Sequence, residues 1–397
     1  MSNLQMLAYG LLLLSAVGLV VHLVIGACLL LFRRRATPAP LRRPGMSILK
    51  PLAGVDDGLE ENLASFAALE YAGPWEVLLG VRDALDPSFS VAQAAVRRWP
   101  DRFRLFLQED APGLNPKVNQ LITLERHAMH EVLVVSDSNV RIHPHYLEEI
   151  AGEITQPDVG CVAHPVIGAG EETLGSRMDN LHLCASVAAG QISATVASNR
   201  PLVVGKSMAF WRSDLVALGG FDSVKDCLAE DYVFGRRVRF ELGKRVAMAR
   251  SVVTGFSCRK DVSDFVRRYA RWGVVHRTSV SLGTSLAQGL LQPWFFAALA
   301  VLVAPSAQTL SALAFVVVAK VLIDLFYVNF FRPTPVSLQL LGALVLKDVI
   351  AQLCWLRGFF VRTVLWRGNR LRVGSNSVLV PTAPEETSEA MTGVGPG

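Results

Sequence analysis

Two oxygen-bearing side chains, Asp137 and Asn139, lie just after the apolar run 132–135 with one residue between them. Such a run predicts a buried strand, and the strand end would hold the carboxylate rigidly at the edge of a sheet. Both side chains can offer oxygen to one cation, and Mg²⁺ or Mn²⁺ bound this way takes its other ligands from phosphate and water. Because Asp, Ser and Asn also favour turns, an ordinary turn is the alternative.

Further carboxylates follow other apolar or helical patterns. Asp83 and Asp86 lie at or just beyond the end of WEVLLGVRD, and Glu230 and Asp231 begin EDYVFGRRVRF, where a helix dipole favours anions. Carboxylates gathered at one edge of a sheet repel one another unless positive charge lies among them. Plain helix capping is the alternative for Glu230 and Asp231.

Positive charge is available from two stretches. Lys117 lies in GLNPKVNQL, a helix start with a proline in its first turn. VRRYARWGVVHR places Arg267, Arg268, Arg271 and Trp272 on an amphipathic helix just before a membrane segment, and arginine binds phosphate oxygens bidentately. A solvated helix start and an interfacial membrane anchor are the respective alternatives.

The elements that would position these residues alternate between strand and helix. Four stretches have the pattern of strands: MSILKP, WEVLLGVRD, FRLFL and EVLVVSD. They are separated by the helical stretches DDGLEENLASFAALE, PSFSVAQAAVRRW and NPKVNQLITLERHAM. Near-continuous apolar strands separated by helices predict an α/β fold with a mostly parallel sheet covered on both faces. Ligands bind outside the carboxyl ends of the strands in such sheets. The segment 44–277 is long enough for one core of this kind.

Membrane segments flank this domain. Residues 4–32 carry no formal charge, and the length of this run exceeds the roughly 20 residues needed to cross a bilayer. Arginines follow at once, so the positive-inside rule puts the N-terminus outside and the domain in the cytosol: Arg33, Arg34, Arg35, Arg42 and Arg43. Two further spans are expected near 287–304 and 308–331, separated by Pro305. We therefore expect a multi-pass protein of the inner membrane.

The last apolar stretch, 336–360, is a different case because Lys347 and Asp348 lie at its centre. A full crossing would leave two charges in mid-bilayer and bring an arginine-rich tail outside. We expect this segment to lie in the interface or to re-enter. Lys320 and Asp324 lie four apart on one helix and are expected to pair structurally.

Charge and cysteine content exclude other classes. The net charge of +5 is concentrated beside the membrane segments, and the soluble segment lacks the basic stripe with interleaved aromatics that nucleic-acid binding needs. The six cysteines form no CxxC pair and no metal-ligand spacing, as is typical of a reducing compartment. No pattern specifies an oligomeric state.

In this order the motifs resemble one family, the membrane-bound glycosyltransferases of the ceramide glucosyltransferase type, which have a GT-A catalytic domain. The family has three aspartate landmarks followed by (Q/R)xxRW. Here these are Asp86 in RDALDP, Asp137 in SDSN, Asp231 in AEDY, and RYARW from Arg268 to Trp272. The resemblance covers residues 47–272, and SDSN departs from the family's full DxD.

The resemblance implies a role for each residue. Asp137 and Asn139 would hold Mg²⁺ or Mn²⁺ on the diphosphate of a UDP-sugar, and Asp231 would be the general base that takes the acceptor's proton. The reaction would invert the sugar, giving a β-glycoside. The remaining donor-side residues would be Asp83, Asp86, Lys117, Arg268 and Arg271, and the acceptor-side residues Glu230 and Trp272.

The acceptor expected from this resemblance is a membrane lipid. Ceramide with UDP-glucose and a polyhydroxylated hopanoid with UDP-N-acetylglucosamine are both retained, the compact chain favouring a bacterial member. An inactive membrane scaffold and a processive polysaccharide synthase are more distant alternatives. The expected layout is an anchor with its basic flank (1–43), the GT-A domain (44–277), a membrane region (278–372) and a disordered tail (373–397). Residues 168–199 would form a lipid-facing insert, followed by a strand at 206–211.

Overall fold

The computed structural model describes residues 2–198, 202–332, 340–366 and 369–381. The strands, in chain order, are β1 (Met46–Pro51), β2 (Trp75–Val81), β3 (Phe103–Leu107), β4 (Val132–Ser136), β5 (Val140–Arg141), β6 (Val159–Ala163), β7 (Val166–Ala169), β8 (Ser207–Trp211), β9 (Arg245–Met248), β10 (Val253–Phe256), β11 (Thr363–Trp366), β12 (Asn369–Val373) and β13 (Leu379–Pro381). The α-helices are α1 (Asn3–Arg33), α2 (Leu59–Ala67), α3 (Ser88–Arg98), α4 (Pro116–His127), α5 (Tyr146–Ile154), α6 (Leu174–His182), α7 (Ala189–Ser198), α8 (Arg212–Ala217), α9 (Glu230–Phe240), α10 (Val262–Ser279), α11 (Leu282–Ala287), α12 (Pro293–Val303), α13 (Ala307–Phe331) and α14 (Leu341–Arg357).

Seven strands form the central sheet, in the order β3-β2-β1-β4-β8-β6-β9. The first four run parallel, and β8 is antiparallel to both of its neighbours. Strands β1, β2 and β4 are buried along their whole length, as expected for apolar strands covered on both faces. The predicted α/β fold with a mostly parallel sheet is therefore confirmed.

Each face of the sheet has its own hydrophobic core. On one face Ile48, Val77 and Val134 pack with residues of α2 and α5. On the other face Leu49 and Leu133 share a core with one end of the long apolar helices, including Phe32 of α1 and Val328 of α13. The membrane helices therefore pack against the catalytic domain instead of being joined to it by linkers alone.

Three described segments are long and apolar enough to cross a membrane: 3–34, 174–198 and 307–331. The predicted span near 287–304 differs, because a bend of 85° separates the segment 282–291 from α12. The insert expected at 168–199 contains α6, a π-helical turn at Leu183–Ala188, and α7. These three elements together form the segment 174–198, which is long and apolar enough to cross a membrane.

The contacts of α1 give the directions of its neighbours. Tyr9 donates to Gln308 at 3.1 Å, and Tyr327 donates to the carbonyl of His22 at 2.6 Å, so α13 runs parallel to α1. Ser15 donates to the carbonyl of Pro293 at 2.9 Å, which places the start of α12 halfway along α1. Gly18 permits this approach, since a Cβ there would lie 2.5 Å from the carbonyl oxygen of Leu290.

The C-terminal strands return to the catalytic domain. β11, β12 and β13 form an antiparallel sheet whose Val364 and Leu371 pack with Leu228 and Val274. The predicted tail at 373–397 differs in its first part, because 373–381 complete β12 and form β13, tied to the domain by main-chain bonds. Residues 382–397 lie outside the described residues, as do residues 336–339 of the stretch 336–360.

Candidate functional site

A single cavity of about 890 Å³ lies between the carboxyl edge of the sheet and the membrane helices. Its lining includes most of the residues singled out from the sequence: Lys117, Asp137, Asn139, Glu230, Asp231, Arg268, Arg271 and Trp272. Asp83 and Asp86 are absent from the lining. The same cavity extends to α1, α13 and α14, so the polar edge and the membrane region share one space.

Lys117 lies at the centre of the polar edge. Asn115 caps α4 by accepting bonds from the backbone N–H groups of Lys117 and Val118, which fixes where the lysine emerges. Its ammonium lies 2.9 Å from Asp137 and 2.9 Å from Glu230. Burial would lower the pKa of Lys117, but these carboxylates outweigh it and raise that pKa above its usual range. Lys117 is thus a fixed positive charge between Asp137 and Glu230.

Two further lysines surround Asp137, and sequence reasoning missed both. Lys50 donates to the carbonyl of Asp137 at 2.8 Å, and Lys206 lies 3.9 Å from its carboxylate. Burial lowers the pKa of Lys50 to about 7 and that of Lys206 to about 8. A lysine at the end of the buried run MSILKP was the available signal, because lysine is rarely buried unless paired.

Asp137 and Asn139 are both oriented by this positive charge. Burial alone would raise the pKa of Asp137, but Lys117 and Lys206 outweigh it and hold that pKa below its ordinary value. Asn139 accepts a hydrogen bond from Lys206. Within the described ranges, no three His, Cys, Asp or Glu side chains gather as a metal site. Two oxygens still fit Mg²⁺ or Mn²⁺, which bind through one or two carboxylates completed by substrate phosphates.

Asp231 differs from its neighbours because backbone N–H groups, not a lysine, donate to its carboxylate. The donors are Gly205 at 2.6 Å and Tyr232 at 2.7 Å. Burial, and then the adjacent charge of Glu230, raise the pKa of Asp231 to about 7. The absence of a side chain at Gly205 leaves room for Lys117, since a Cβ there would lie 2.7 Å from the Lys117 ammonium. We call Lys117, Asp137, Lys206, Glu230 and Asp231 the rim cluster.

Helix α10 brings the RYARW residues to the cavity wall. Arg268 donates twice to Asp179 of α6, at 2.7 and 3.0 Å, and Tyr269 donates to the same carboxylate at 2.9 Å. The Arg268 guanidinium lies 5.3 Å from the ring centre of Trp272. Asp179 is almost fully buried and lies in the stretch predicted to be a lipid-facing insert. An acidic residue within an apolar segment was the signal that could have identified it.

Asp83 and Asp86 lie in the loop after β2, outside the cavity. Asp83 bonds the neighbouring Arg82, and Asp86 accepts from the N–H of Gly54 at 2.8 Å. Gly54 lies in the loop after β1, whose Asp56 lines the cavity and accepts a hydrogen bond from Ser138. Asp86 therefore ties the two loops together next to the polar edge.

Lys320, which lines the membrane half of the cavity, belongs to a group of four charged residues. Lys320 bonds Asp324 at 2.6 Å, which confirms the predicted pair, and it also bonds Asp348 at 2.9 Å. Lys347 bonds Asp324 at 2.8 Å and Asp348 at 2.6 Å, which closes a ring across α13 and α14. We call these four residues the membrane ion ring. Lys347 and Asp348 are thus buried with partners on α13, and the interfacial or re-entrant position expected for 336–360 stays a prediction.

The family model of Glycosyl transferase family 21 matches residues 10–379. The chain belongs to Glycosyl transferase family 21. A ceramide glucosyltransferase of Caenorhabditis elegans is 27% identical over 235 residues, which are 58% of this chain and 50% of that protein. The ceramide glucosyltransferase of Komagataella phaffii is 27% identical over 205 residues, 46% of this chain and 40% of that protein. The chain covers about half the length of these relatives or less.

The fold of this family 21 chain also has a solved counterpart. A mannosyltransferase from Pyrobaculum calidifontis, solved with GDP-Man and Mn²⁺, superposes with a TM-score of 0.58 over 87% of this chain and 99% of that one, at 18% identity. At this identity the likeness concerns the fold alone, and it confirms the GT-A-like architecture predicted from the motifs.

Proposed function

We propose that this family 21 protein is a glycosyltransferase that moves a sugar from a UDP-sugar to a hydroxyl group of a membrane lipid. One observation carries the proposal: a single cavity joins the rim cluster and the RYARW arginines to three membrane-side helices. A water-soluble acceptor would not require that continuity, and an inactive scaffold would not require the charged edge.

The donor diphosphate would lie along the rim cluster. Lys117, Lys206, Arg268 and Arg271 all line the cavity and would stabilise the negative charge that the leaving nucleotide develops. Asp137 and Asn139 would hold Mg²⁺ or Mn²⁺, which would add electrostatic stabilisation of that diphosphate. Asp83 and Asp86, just outside the cavity, are proposed to lie beside the nucleoside end.

Asp231 is proposed as the general base. Its pKa of about 7 suits a group that is ionised at neutral pH yet basic enough to accept a hydroxyl proton. The N–H of Gly205 donates to the Asp231 carboxylate. As the family resemblance implies, the acceptor hydroxyl is proposed to attack from the side opposite the leaving diphosphate, inverting the sugar. Glu230 would hold Lys117, and Trp272 would offer a flat apolar face to the acceptor.

The relatives named ceramide glucosyltransferases favour ceramide and UDP-glucose as acceptor and donor. A hopanoid acceptor with UDP-N-acetylglucosamine is the second candidate and rests on the same cavity. The deciding assay incubates the purified full-length protein with radiolabelled UDP-sugars, Mg²⁺ or Mn²⁺, and ceramide, bacteriohopanetetrol or buffer alone. Sugar in the lipid phase is expected with one acceptor. Absence of transfer to every lipid, with donor binding intact, would contradict the proposal.

The catalytic domain is proposed to lie on the cytosolic side of the inner membrane. The arginines after α1 support this, and so does the packing of β12 and β13 on the domain, which places residues 369–381 on the same side. The test is Ser375→Cys in a background without the six native cysteines. Protection from an impermeant maleimide until lysis is expected, and labelling of intact cells would overturn this orientation.

A further inference from the structure

The membrane half of the cavity contains polar groups that the chemistry of sugar transfer does not use. Gln288, just after α11, and Gln352 of α14 both line it, together with His182 and Ser279. Each has one buried polar atom that makes no hydrogen bond within the part of the chain described: Gln288 Oε1, Gln352 Nε2, His182 Nδ1 and Ser279 Oγ. Gln352 is 2% exposed. Buried polar atoms are normally paired, because leaving them unpaired costs free energy.

Three other polar side chains on this wall have partners within the protein. Lys320 is bound by Asp324 and Asp348, and the Nε2 of His22 contacts the carbonyl oxygen of Leu291 at 3.0 Å. Gln292 accepts from Trp294 at 2.9 Å. Gln288, at the bend between α11 and α12, and Gln352, on α14, thus each present one buried amide atom to the cavity.

We propose that Gln288 and Gln352 bind the polar head of the acceptor lipid, Gln352 donating and Gln288 accepting. Such a ligand must carry both hydrogen-bond donors and acceptors next to the hydroxyl that receives the sugar. An amide with a second hydroxyl meets this requirement, as does a chain of neighbouring hydroxyls. The esters of a diacylglycerol provide acceptors only and would leave Gln288 unpaired, so the cavity selects for amide or polyol lipids.

This inference rests on the proposed function for the identity of the site's ligand, but it is tested by binding in the absence of any UDP-sugar. The probe is a short-chain fluorescent ceramide bound to the purified full-length protein in detergent. Unlabelled ceramide, bacteriohopanetetrol and dioctanoylglycerol compete with it. With wild-type protein, ceramide or the tetrol should compete at least about tenfold better than dioctanoylglycerol, the loss expected from one or two missing hydrogen bonds.

Two variants assign that preference to the glutamines. Gln288→Leu and Gln352→Leu should each reduce the preference to about threefold or less, because leucine keeps the volume and removes the amide. Gln308→Leu is the matched control, since Gln308 lies at the exposed start of α13 outside the cavity and contacts Tyr9. It should keep the wild-type preference.

Two results would overturn the inference: equal competition by dioctanoylglycerol with wild-type protein, or a full preference in both cavity variants. The first comparison needs no variant, so misfolding of a variant does not affect it. Failure to transfer sugar from every UDP-sugar would remove the proposed function while the binding preference still decides this inference.

Discussion

The rim cluster, which is partly buried, and the membrane ion ring, which is fully buried, are both groups of lysines and acidic residues, but their bonding differs. In the ring every lysine bonds both aspartates, so all four charges are paired among themselves. In the rim cluster Lys117 bonds Asp137 and Glu230, whereas Asp231 is held by backbone N–H groups and has its pKa raised to about 7. A closed ring suits a structural role, and the carboxylate outside the ion pairs suits chemistry.

The strongest test of this contrast removes the base. Asp231→Asn keeps the shape of the side chain but cannot accept a proton, so turnover should fall by about 10²–10⁴-fold. Binding of UDP, measured by calorimetry, should stay close to wild type. The control is Asp222→Asn, an exposed residue paired with Lys225. Turnover of the Asp231 variant within tenfold of wild type would remove Asp231 from the role of base.

Substitutions in the membrane ion ring should lower the stability of the protein and leave the rate of the reaction largely unaffected. Lys347→Met leaves one lysine to balance two buried aspartates and should lower the free energy of unfolding by about 3–5 kcal/mol. Thermal unfolding in detergent measures this change. The double variant Lys347→Met/Asp348→Leu keeps one balanced pair and should recover much of the loss. Equal destabilisation of the single and double variants would show that charge balance is not what the ring provides.

Donor affinity tests whether the rim cluster holds a cation. Asp137→Ala should weaken UDP binding in the presence of Mg²⁺ by at least about tenfold, the loss expected for a charged contact. EDTA should weaken binding to the wild-type protein and have little further effect on the variant. Asp110→Ala, an exposed residue paired with Arg126, is the control. Equal wild-type affinity with EDTA and with metal would argue against a metal at Asp137.

Asp179 tests whether the arginine motif needs an internal partner. Asp179→Asn keeps one acceptor oxygen but loses the charge that orients Arg268 and Tyr269, so kcat/KM for the UDP-sugar should fall about tenfold. Glu172→Gln, which loosens an exposed pair with Arg259, is the control and should leave kcat/KM unchanged. A fall caused by misfolding would lower the unfolding temperature as well, so both are measured.

The pH profile gives the smallest expected effect. Because burial raises the pKa of Asp231 to about 7, its basic form is lost as the pH falls through that value. Between pH 8 and pH 6.5, kcat/KM should therefore fall about fourfold. Asp231→Glu should shift the midpoint of the profile, which a titration elsewhere would not do. A flat profile over this range would contradict the raised pKa.

Local patterns in the sequence determined the elements of this protein and much of its site. Apolar runs of strand length separated by amphipathic helices are sufficient for a mostly parallel sheet, whose carboxyl ends meet at one edge. Asp137 follows such a strand, Glu230 and Asp231 begin a helix, and all three line one cavity with Lys117 and the two arginines of RYARW. Uncharged length and the following arginines predicted α1, and apolar length predicted α13, although Lys320 and Asp324 lie within it.

Only the tertiary structure decided which charges meet. Lys50, Lys206 and Asp179 come from separate elements, and no spacing along the chain brings them to Asp137 or Arg268. Lys347 and Asp348 are compensated from another helix, as an isolated apolar stretch cannot reveal. The physical reason is that a charged side chain can be buried only when it has partners, and those partners are distant in sequence. Strands and spanning helices follow from patterns within a few residues.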